Sequence, residues 1–266
     1  MLINIVILFI KDLLPIFILL CLLKTCVAPN TLSSKNLYIT LVLSLIGIIT
    51  TFHLLPSMSE LFGGVGIEVI QSIELLIIYL CLLFSSSYMV TQDKLTIIQS
   101  NLVIISTVLF TVINASQFIV FIDSYVVNSD SIKNIIVGLA IGFGICLSFS
   151  SLLYFLVHWL IKNKSRFIIY LIWALFLSGH ISQVINLLQQ VNITQSSGAL
   201  WDTSNIVKDS SEYGHLLNTL FGYEASPSYE FVMLYALSLL LFFGYFILLS
   251  KRQYTVDSSK EKWHVL

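Results

Sequence analysis

A charged pair, Lys11-Asp12, stands near the middle of an apolar stretch, residues 2–23, that is long enough to cross a bilayer. Each charge costs about 2.5–3.5 kcal/mol at the centre of a membrane helix, so we expect both residues to be buried and to face protein or water. Pro15 removes a backbone N–H and frees a carbonyl one turn earlier. Two alternatives are open: the pair belongs to a polar pathway, or it is an ion pair that only kinks and pins the helix.

A second polar group follows in the third apolar stretch. At helical spacing Glu68, Gln71, Ser72 and Tyr79 share one face, and Glu74 lies at its edge as the deepest carboxylate. A polar stripe on a membrane helix predicts a buried seam between helices. Glu74 is either a pathway residue or a protonated, hydrogen-bonded core carboxyl.

Uncharged polar residues occupy one face of the fourth apolar stretch. Thr107, Thr111 and Asn114 lie within about 60° of one another on a helical wheel, and Gln117 lies beside them. The threonine hydroxyls are expected to link neighbouring membrane helices. Asn114 and Gln117 are candidate pathway residues.

The sixth apolar stretch carries His180 and Gln183 in its outer half. An imidazole at this depth can relay protons or bind a metal ion, whereas a lone histidine can equally be a hydrogen-bonded core residue. His180 is therefore a third candidate pathway residue, with the core role as the alternative.

Composition places these groups in a multi-pass membrane protein. Hydrophobic residues make up 57% of the 266 residues, charged residues only 10%, and the mean hydropathy is +0.94. A binder of nucleic acid would need a basic region with interleaved aromatic residues, and the sequence has none. An enzyme is not expected either, because no nucleophile–base pair or metalloprotease spacing occurs. The four cysteines form no CxxC pair and are predicted to be small packing residues.

Seven apolar stretches predict an all-α membrane protein with seven transmembrane helices. They cover residues 2–23, 37–55, 66–86, 101–122, 134–160, 167–187 and 230–250. The domain organisation follows directly: a polytopic membrane domain over residues 1–250, with a long outer loop at about 188–229, and a cytoplasmic tail over residues 251–266.

The distribution of positive charge predicts the orientation. The first, third and fifth loops and the tail hold ten of the 13 Lys and Arg residues, and the opposite side holds only Lys133 and Lys208. The positive-inside rule then places the N-terminus outside and the C-terminus in the cytoplasm of a cell bounded by this membrane. Helices one to three and four to six consequently run in opposite directions, so we expect an inverted three-plus-three repeat with a seventh helix added, an arrangement typical of transporters.

Small residues recur every fourth position in the fifth stretch, at Gly138, Gly142, Cys146 and Ser150. This spacing predicts a face on which a neighbouring helix backbone approaches closely, and a role in packing.

The last third of the sequence resembles a known family. Residues 199–204 (Ala-Leu-Trp-Asp-Thr-Ser), 213–223 (Tyr-Gly-His-Leu-Leu-Asn-Thr-Leu-Phe-Gly-Tyr) and 224–228 (Glu-Ala-Ser-Pro-Ser) are similar to the outer-loop signature of the high-affinity, oxidase-dependent iron permeases. Gly66-Ile67-Glu68 is similar to the start of that family's third helix. The resemblance implies seven helices, an outer N-terminus and an inverted three-plus-three core.

The family carries an Arg-Glu-Gly-x-Glu motif in helix one and again in helix four, and both copies are altered in this sequence. The first aligns with Lys11-Asp12-Leu13-Leu14-Pro15 and the second with Asn114-Ala115-Ser116-Gln117-Phe118, so Asp12 is the one carboxylate that remains. Gln71 stands where many relatives have glutamate. The sequence is therefore identified as a divergent member of the iron permease family.

The resemblance implies that the protein takes iron, or a related metal cation, inward across the cytoplasmic membrane as a transported ion, without a tightly bound cofactor. Asp12, Glu68 and Glu74 are the predicted oxygen ligands, with Lys11 as the ion-pair partner of Asp12. Membrane lipid, the metal cation and a ferroxidase or periplasmic iron-binding protein are the expected partners. Because the altered motifs have lost charge, the alternative is a non-conducting, permease-like partner or scaffold subunit.

Overall fold

The chain folds into a bundle of helices. The computed structural model describes residues 2–27, 33–91, 96–128 and 132–263. Its α-helices are α1 (Leu2–Leu22), α2 (Ser34–Glu60), α3 (Gly66–Ser85), α4 (Ser87–Thr91), α5 (Ile97–Asn128), α6 (Ile132–Lys162), α7 (Arg166–Gln190), α8 (Glu212–Phe221) and α9 (Tyr229–Trp263). Within the described ranges β-structure is limited to one antiparallel bridge, between Ala199 and Ser228.

Seven of the described helices are long and apolar enough to cross a membrane: α1, α2, α3, α5, α6, α7 and α9. Each coincides with one of the apolar stretches in the sequence, so the prediction of an all-α protein with seven helices long and apolar enough to cross a membrane is confirmed. The last helix, α9, continues to Trp263, and the predicted tail from residue 251 therefore begins inside a helix. A π-helical turn, Leu23–Val27, extends α1.

Two helices form the centre of the bundle. About two thirds of the α1 and α7 spans is buried, 67% and 61%, against 17% for α2 and for α9. The α1 helix packs on α5, α6 and α8, and α7 packs on α3, α8 and α9. On α1, apolar side chains such as Ile18 and Leu19 are fully buried. The Lys11-Asp12 pair consequently lies on a helix that neighbours surround.

Small residues of α6 bring α1 close, as the four-residue spacing predicts. A methyl group built on Gly142 would come within 2.6 Å of the Phe9 ring, and one on Gly138 within 2.9 Å of Ile5. Ser150 continues the seam by donating a hydrogen bond to the Phe17 carbonyl at 3.4 Å. The close approach is thus a packing device, because larger side chains at these positions would separate the helices.

A short helix, α8, lies on the bundle within the stretch predicted as an outer loop. The Ser211 hydroxyl accepts a hydrogen bond from the Gly214 N–H at 3.0 Å and caps its start, and Gly222, with φ at 67°, ends it. The helix packs against both α1 and α7. The stretch predicted as a long loop is therefore partly helical and packs on the bundle.

The rest of the segment between α7 and α9 folds on itself. The Leu200 N–H donates to the Pro227 carbonyl at 2.9 Å, and the Thr203 N–H donates to the Ala225 carbonyl at 2.8 Å. The Thr203 hydroxyl also lies 2.8 Å from the Tyr223 hydroxyl. The three runs that carry the family resemblance are thus held against one another.

Candidate functional site

A cavity of about 530 Å³ opens between α1, α2, α3, α5, α7 and α8. Its lining is rich in polar side chains, although every membrane helix that contributes to it is mainly apolar. The polar lining residues include Lys11, Asp12, Gln71, Glu74, Asn114, Ser116, Gln117, His180, Gln183, Asn186, Gln190, Asn218 and Thr219. The structure therefore brings candidates from four membrane helices to one place.

The α1 helix contributes the charged pair to this cavity. Asp12 is 4% exposed, as predicted for a carboxylate that faces the interior. Lys11 lines the same cavity and acts electrostatically on Asp12, but its side chain is exposed. The prediction that both residues are buried is therefore right for Asp12 and wrong for Lys11. Pro15, one turn after Lys11, also lines the cavity without ending the helix.

The positive charge of Lys11 also acts on a residue of α8, His215. Burial and the Lys11 ammonium hold the pKa of His215 below its ordinary value of 6.5, against the opposing effect of Asp209. The Lys11 side chain therefore acts electrostatically on residues of both α1 and α8.

The polar residues of α3 contact different parts of the structure. Gln71 and Glu74 line the cavity, whereas the buried Tyr79 donates its hydroxyl proton to the Ser238 carbonyl of α9 at 2.6 Å. Glu68 is half-buried near the start of α3, and in the part of the chain that the structure describes it does not line the cavity. The structure thus brings Asp12 and Glu74 to a common cavity and leaves Glu68 outside it.

The α5 helix presents amides to the cavity. Asn114 donates from Nδ2 to the Phe110 carbonyl at 2.8 Å, and Gln117 donates from Nε2 to Gln71 Oε1 of α3 at 3.3 Å. Both candidate pathway residues of this helix are therefore in the site. Thr107 and Thr111 are not: their hydroxyls donate to carbonyls of α5 itself, at 2.7 and 2.8 Å, so the prediction that they link neighbouring helices is wrong.

His180 lies at the inner side of α7 between aromatic rings. It is 8% exposed, and its ring centroid is 4.5 Å from that of Phe176 and 4.9 Å from that of Phe110, in edge-to-face arrangements. Its Nε2 atom is buried and has no hydrogen-bond partner in the described part of the chain. The alternative of a fully hydrogen-bonded core histidine is therefore wrong for Nε2.

Further along α7, sequence analysis missed two residues of the site. Asn186 and Gln190 line the cavity together with Gln183, and these three amides recur every three or four positions on one helix face. That spacing is a readable signal for a polar face. Asn218 of α8 was also missed, because nothing in the sequence places this helix against the bundle.

Asn186 connects the cavity with the segment between α7 and α9. Its amide donates a hydrogen bond to Oε1 of Glu224. Burial raises the pKa of the Glu224 carboxyl, the Asn186 hydrogen bond opposes this, and the charge of Asp209 adds to it. The state of this carboxyl is thus coupled to a residue of the cavity wall.

The chemistry of the lining suits a cation. The cavity offers two carboxylates, one imidazole and several amide and hydroxyl oxygens, which are donor types found around divalent cations in proteins. No group of three His, Cys, Asp or Glu side chains with metal-ligand geometry occurs among the residues that the structure describes.

Comparisons with protein-family models, with curated proteins and with solved structures found no match for this chain. The fold and the site define its class directly. The protein is a multi-pass, all-helical membrane protein whose seven candidate spanning helices surround a polar cavity.

Proposed function

We propose that the chain is an iron-permease-like transporter of the cytoplasmic membrane, which carries iron or a related metal cation inward through this cavity. The observation that carries the proposal is the common cavity of Asp12, Asn114 and Gln117. These residues belong to the two stretches that resemble the family's paired conduction motifs, and a pathway needs the two stretches to meet.

The packing of the helices supports an inverted repeat. In an inverted repeat α1, α2 and α3 correspond to α5, α6 and α7. Each contact should then have a counterpart: α1–α6 corresponds to α5–α2, and α2–α3 corresponds to α6–α7. The α1–α5 and α3–α7 contacts each join a helix to its own counterpart. All of these contacts occur. The counterpart of the α3–α5 contact would join α7 to α1, and here α8 links these two helices by packing on both. A site at the interface of the two halves is typical of such transporters.

The charges of the cavity support transport of a cation. A bare cation in a low-dielectric seam requires negative charge to offset its loss of hydration. Asp12 and Glu74 provide that charge, and Lys11 reduces it. Because Glu68 is not part of the described lining, the proposed carboxylate ligands narrow to Asp12 and Glu74.

Uptake of radioactive iron by cells that express the chain without any other permease tests the proposal. We expect uptake above that of cells without the chain, and its loss with Asp12→Asn and Glu74→Gln. Asp123→Asn, which neutralises an exposed carboxylate outside the cavity lining, is the matched control and should transport normally. A wild-type protein that reaches the membrane and takes up no iron contradicts the proposal.

A second candidate function is a non-conducting partner subunit. The observation that favours it is the hydrogen bond from Gln117 to Gln71, because a neutral amide pair joins α5 to α3 at the cavity. The family resemblance places charged residues in these stretches, and two paired amides supply no charge for a cation.

Co-expression with an iron permease that has both motifs intact separates the two functions. A partner subunit should co-purify with that permease and raise its iron uptake while transporting none by itself. Uptake by this chain alone, lost with Asp12→Asn, rejects the partner role in favour of transport.

A further inference from the structure

We propose that a second cavity, of about 200 Å³, binds the headgroup phosphate of an anionic phospholipid through Lys164 and Arg166. This cavity lies between the π-helical turn that extends α1, the short helix α4, the end of α6 and the first turns of α7. It shares no described lining residue with the polar cavity described above. The proposal is therefore independent of the proposed transport function.

The charge of the second cavity suits an anion. Lys164 and Arg166 both line it, and none of its described lining residues is an aspartate or a glutamate. An arginine guanidinium can donate two parallel hydrogen bonds to a phosphate, and a lysine ammonium adds a compact positive charge. The Tyr88 hydroxyl belongs to the same lining and provides a further donor group.

Other polar groups of the lining are used within the protein and form its wall. The Tyr170 hydroxyl of α7 donates a hydrogen bond to the Met89 carbonyl of α4 at 2.7 Å. The Thr25 hydroxyl donates to the Cys21 carbonyl one turn earlier in α1, at 2.8 Å. The wall of the cavity is thus built by contacts within the protein, so less order has to be gained when a ligand binds.

The backbone of Lys164 has an unusual conformation for a lysine. Its φ angle is 57°, in the left-handed region that favours glycine. The Lys164 N–H donates to the Ile161 carbonyl at 3.1 Å, and the Ser165 N–H donates to the Leu160 carbonyl at 3.0 Å. These two bonds close the end of α6 in the Schellman arrangement, whose left-handed position is usually a glycine. The chain thus places a cation where the backbone favours glycine, and strain of this kind is concentrated at binding and catalytic sites.

The depth of the cavity favours a lipid over a soluble anion. The candidate membrane spans of α1, of α3 with α4 and of α6 all end at this level, and the span of α7 begins there. Ile161 lines the cavity and is 39% exposed, and Phe167, next to Arg166, is 67% exposed. This apolar surface can contact acyl chains, whereas a free phosphate would gain nothing from it. Basic pockets between membrane helices bind acidic lipid headgroups in this way.

Native mass spectrometry of the purified full-length protein in detergent tests the site. We expect phosphatidylglycerol to bind more tightly than the neutral phosphatidylcholine. The double variant Lys164→Gln/Arg166→Gln should weaken phosphatidylglycerol binding about 25-fold, because each cation near an acidic headgroup contributes about a factor of five. Lys35→Gln/Lys162→Gln removes two charges from exposed positions outside the described lining and should bind as the wild type does. No loss in the first double variant, or an equal loss in both, would overturn the proposal.

A glycine at position 164 separates binding from folding. Lys164→Gly relieves the left-handed backbone and removes the ammonium, so it should raise the thermal unfolding midpoint in lipid-free detergent and weaken phosphatidylglycerol binding. Unchanged phosphatidylglycerol binding in this variant would contradict a phosphate site at Lys164.

Inorganic phosphate distinguishes the two sources of the anion. At the same concentration as the lipid, it should neither raise the unfolding midpoint nor compete with phosphatidylglycerol. Competition as strong as that of the lipid itself would assign the cavity to a soluble anion and overturn the proposal.

Discussion

Gly179 of α7 and Gly222 at the end of α8 are in direct backbone contact. A methyl group built on Gly222 would come within 2.2 Å of the Gly179 Cα, and one built on Gly179 would come within 2.5 Å of the Gly222 N. This contact places α8 on the bundle next to His180, and α8 in turn contributes Asn218 and Thr219 to the cavity. The segment between α7 and α9 is thus structurally part of the site.

Replacing Gly179 by alanine should destabilise the protein. The added methyl group meets backbone atoms that cannot rotate away, and overpacking of this kind typically costs about 1–3 kcal/mol. Gly144→Ala, at a helical glycine with nothing within 4 Å of the added methyl group, is the matched control. We expect a lower thermal unfolding midpoint for Gly179→Ala than for wild type, and an unchanged or higher one for Gly144→Ala. Equal midpoints for the two variants would show that the α7–α8 contact is not tight.

Adding a charge at Gln71 should increase cation binding. In the structure Gln71 accepts the hydrogen bond from Gln117, so a carboxylate at Gln71→Glu can keep this bond while adding negative charge to the cavity. At the short distances inside a cavity, a further unit charge strengthens binding of a divalent cation by about tenfold or more. A Co²⁺ titration at low ionic strength measures the effect. Gln195→Glu, at an exposed position between α7 and α8, is the control and should have no effect.

Docking of the segment between α7 and α9 should weaken as pH rises. Burial holds the pKa of Glu224 above its ordinary value of 4.5, so the folded protein favours the protonated carboxyl. The stability that this group contributes is fully present below pH 4.5 and is lost as the pH passes through the raised pKa. We expect deuterium exchange of α8, corrected for the intrinsic pH dependence of the exchange reaction, to increase over that range.

Glu224→Gln should abolish this dependence, because the amide oxygen can still accept from Asn186 and the side chain cannot ionise. Glu212→Gln, at an exposed position in the first turn of α8, should retain the wild-type profile. An unchanged profile for Glu224→Gln would assign the pH dependence to another group.

The sequence predicted the membrane helices because their signal is local. Each span is a continuous apolar run, and the insertion cost of a charge is enough to predict that Asp12 faces inward. The same reasoning failed for Lys11, because it does not reveal that an open cavity adjoins the helix and that a long side chain can extend into it. The cap α8 was missed although Ser211 and Gly222 are ordinary helix start and stop signals.

The site was only partly predictable, because helical spacing identifies shared faces and not the neighbours that those faces meet. Glu68 and Glu74 both belong to the polar side of α3, yet only Glu74 lines the cavity in the described part of the chain. The roles of Thr107 and Thr111 likewise depend on distances between helices, which no single span encodes. Whether Nε2 of His180 has a hydrogen-bond partner depends on the positions of α5 and α8, which the sequence does not give.

Iron uptake into proteoliposomes that contain only this protein tests the central claim most directly. The wild type should accumulate iron faster than empty liposomes, Asp12→Asn should reduce uptake to the level of empty liposomes, and Asp123→Asn should transport at the wild-type rate. Equal uptake by the wild type and Asp12→Asn would contradict a pathway through the cavity, and no uptake by a folded wild-type protein would contradict transport altogether.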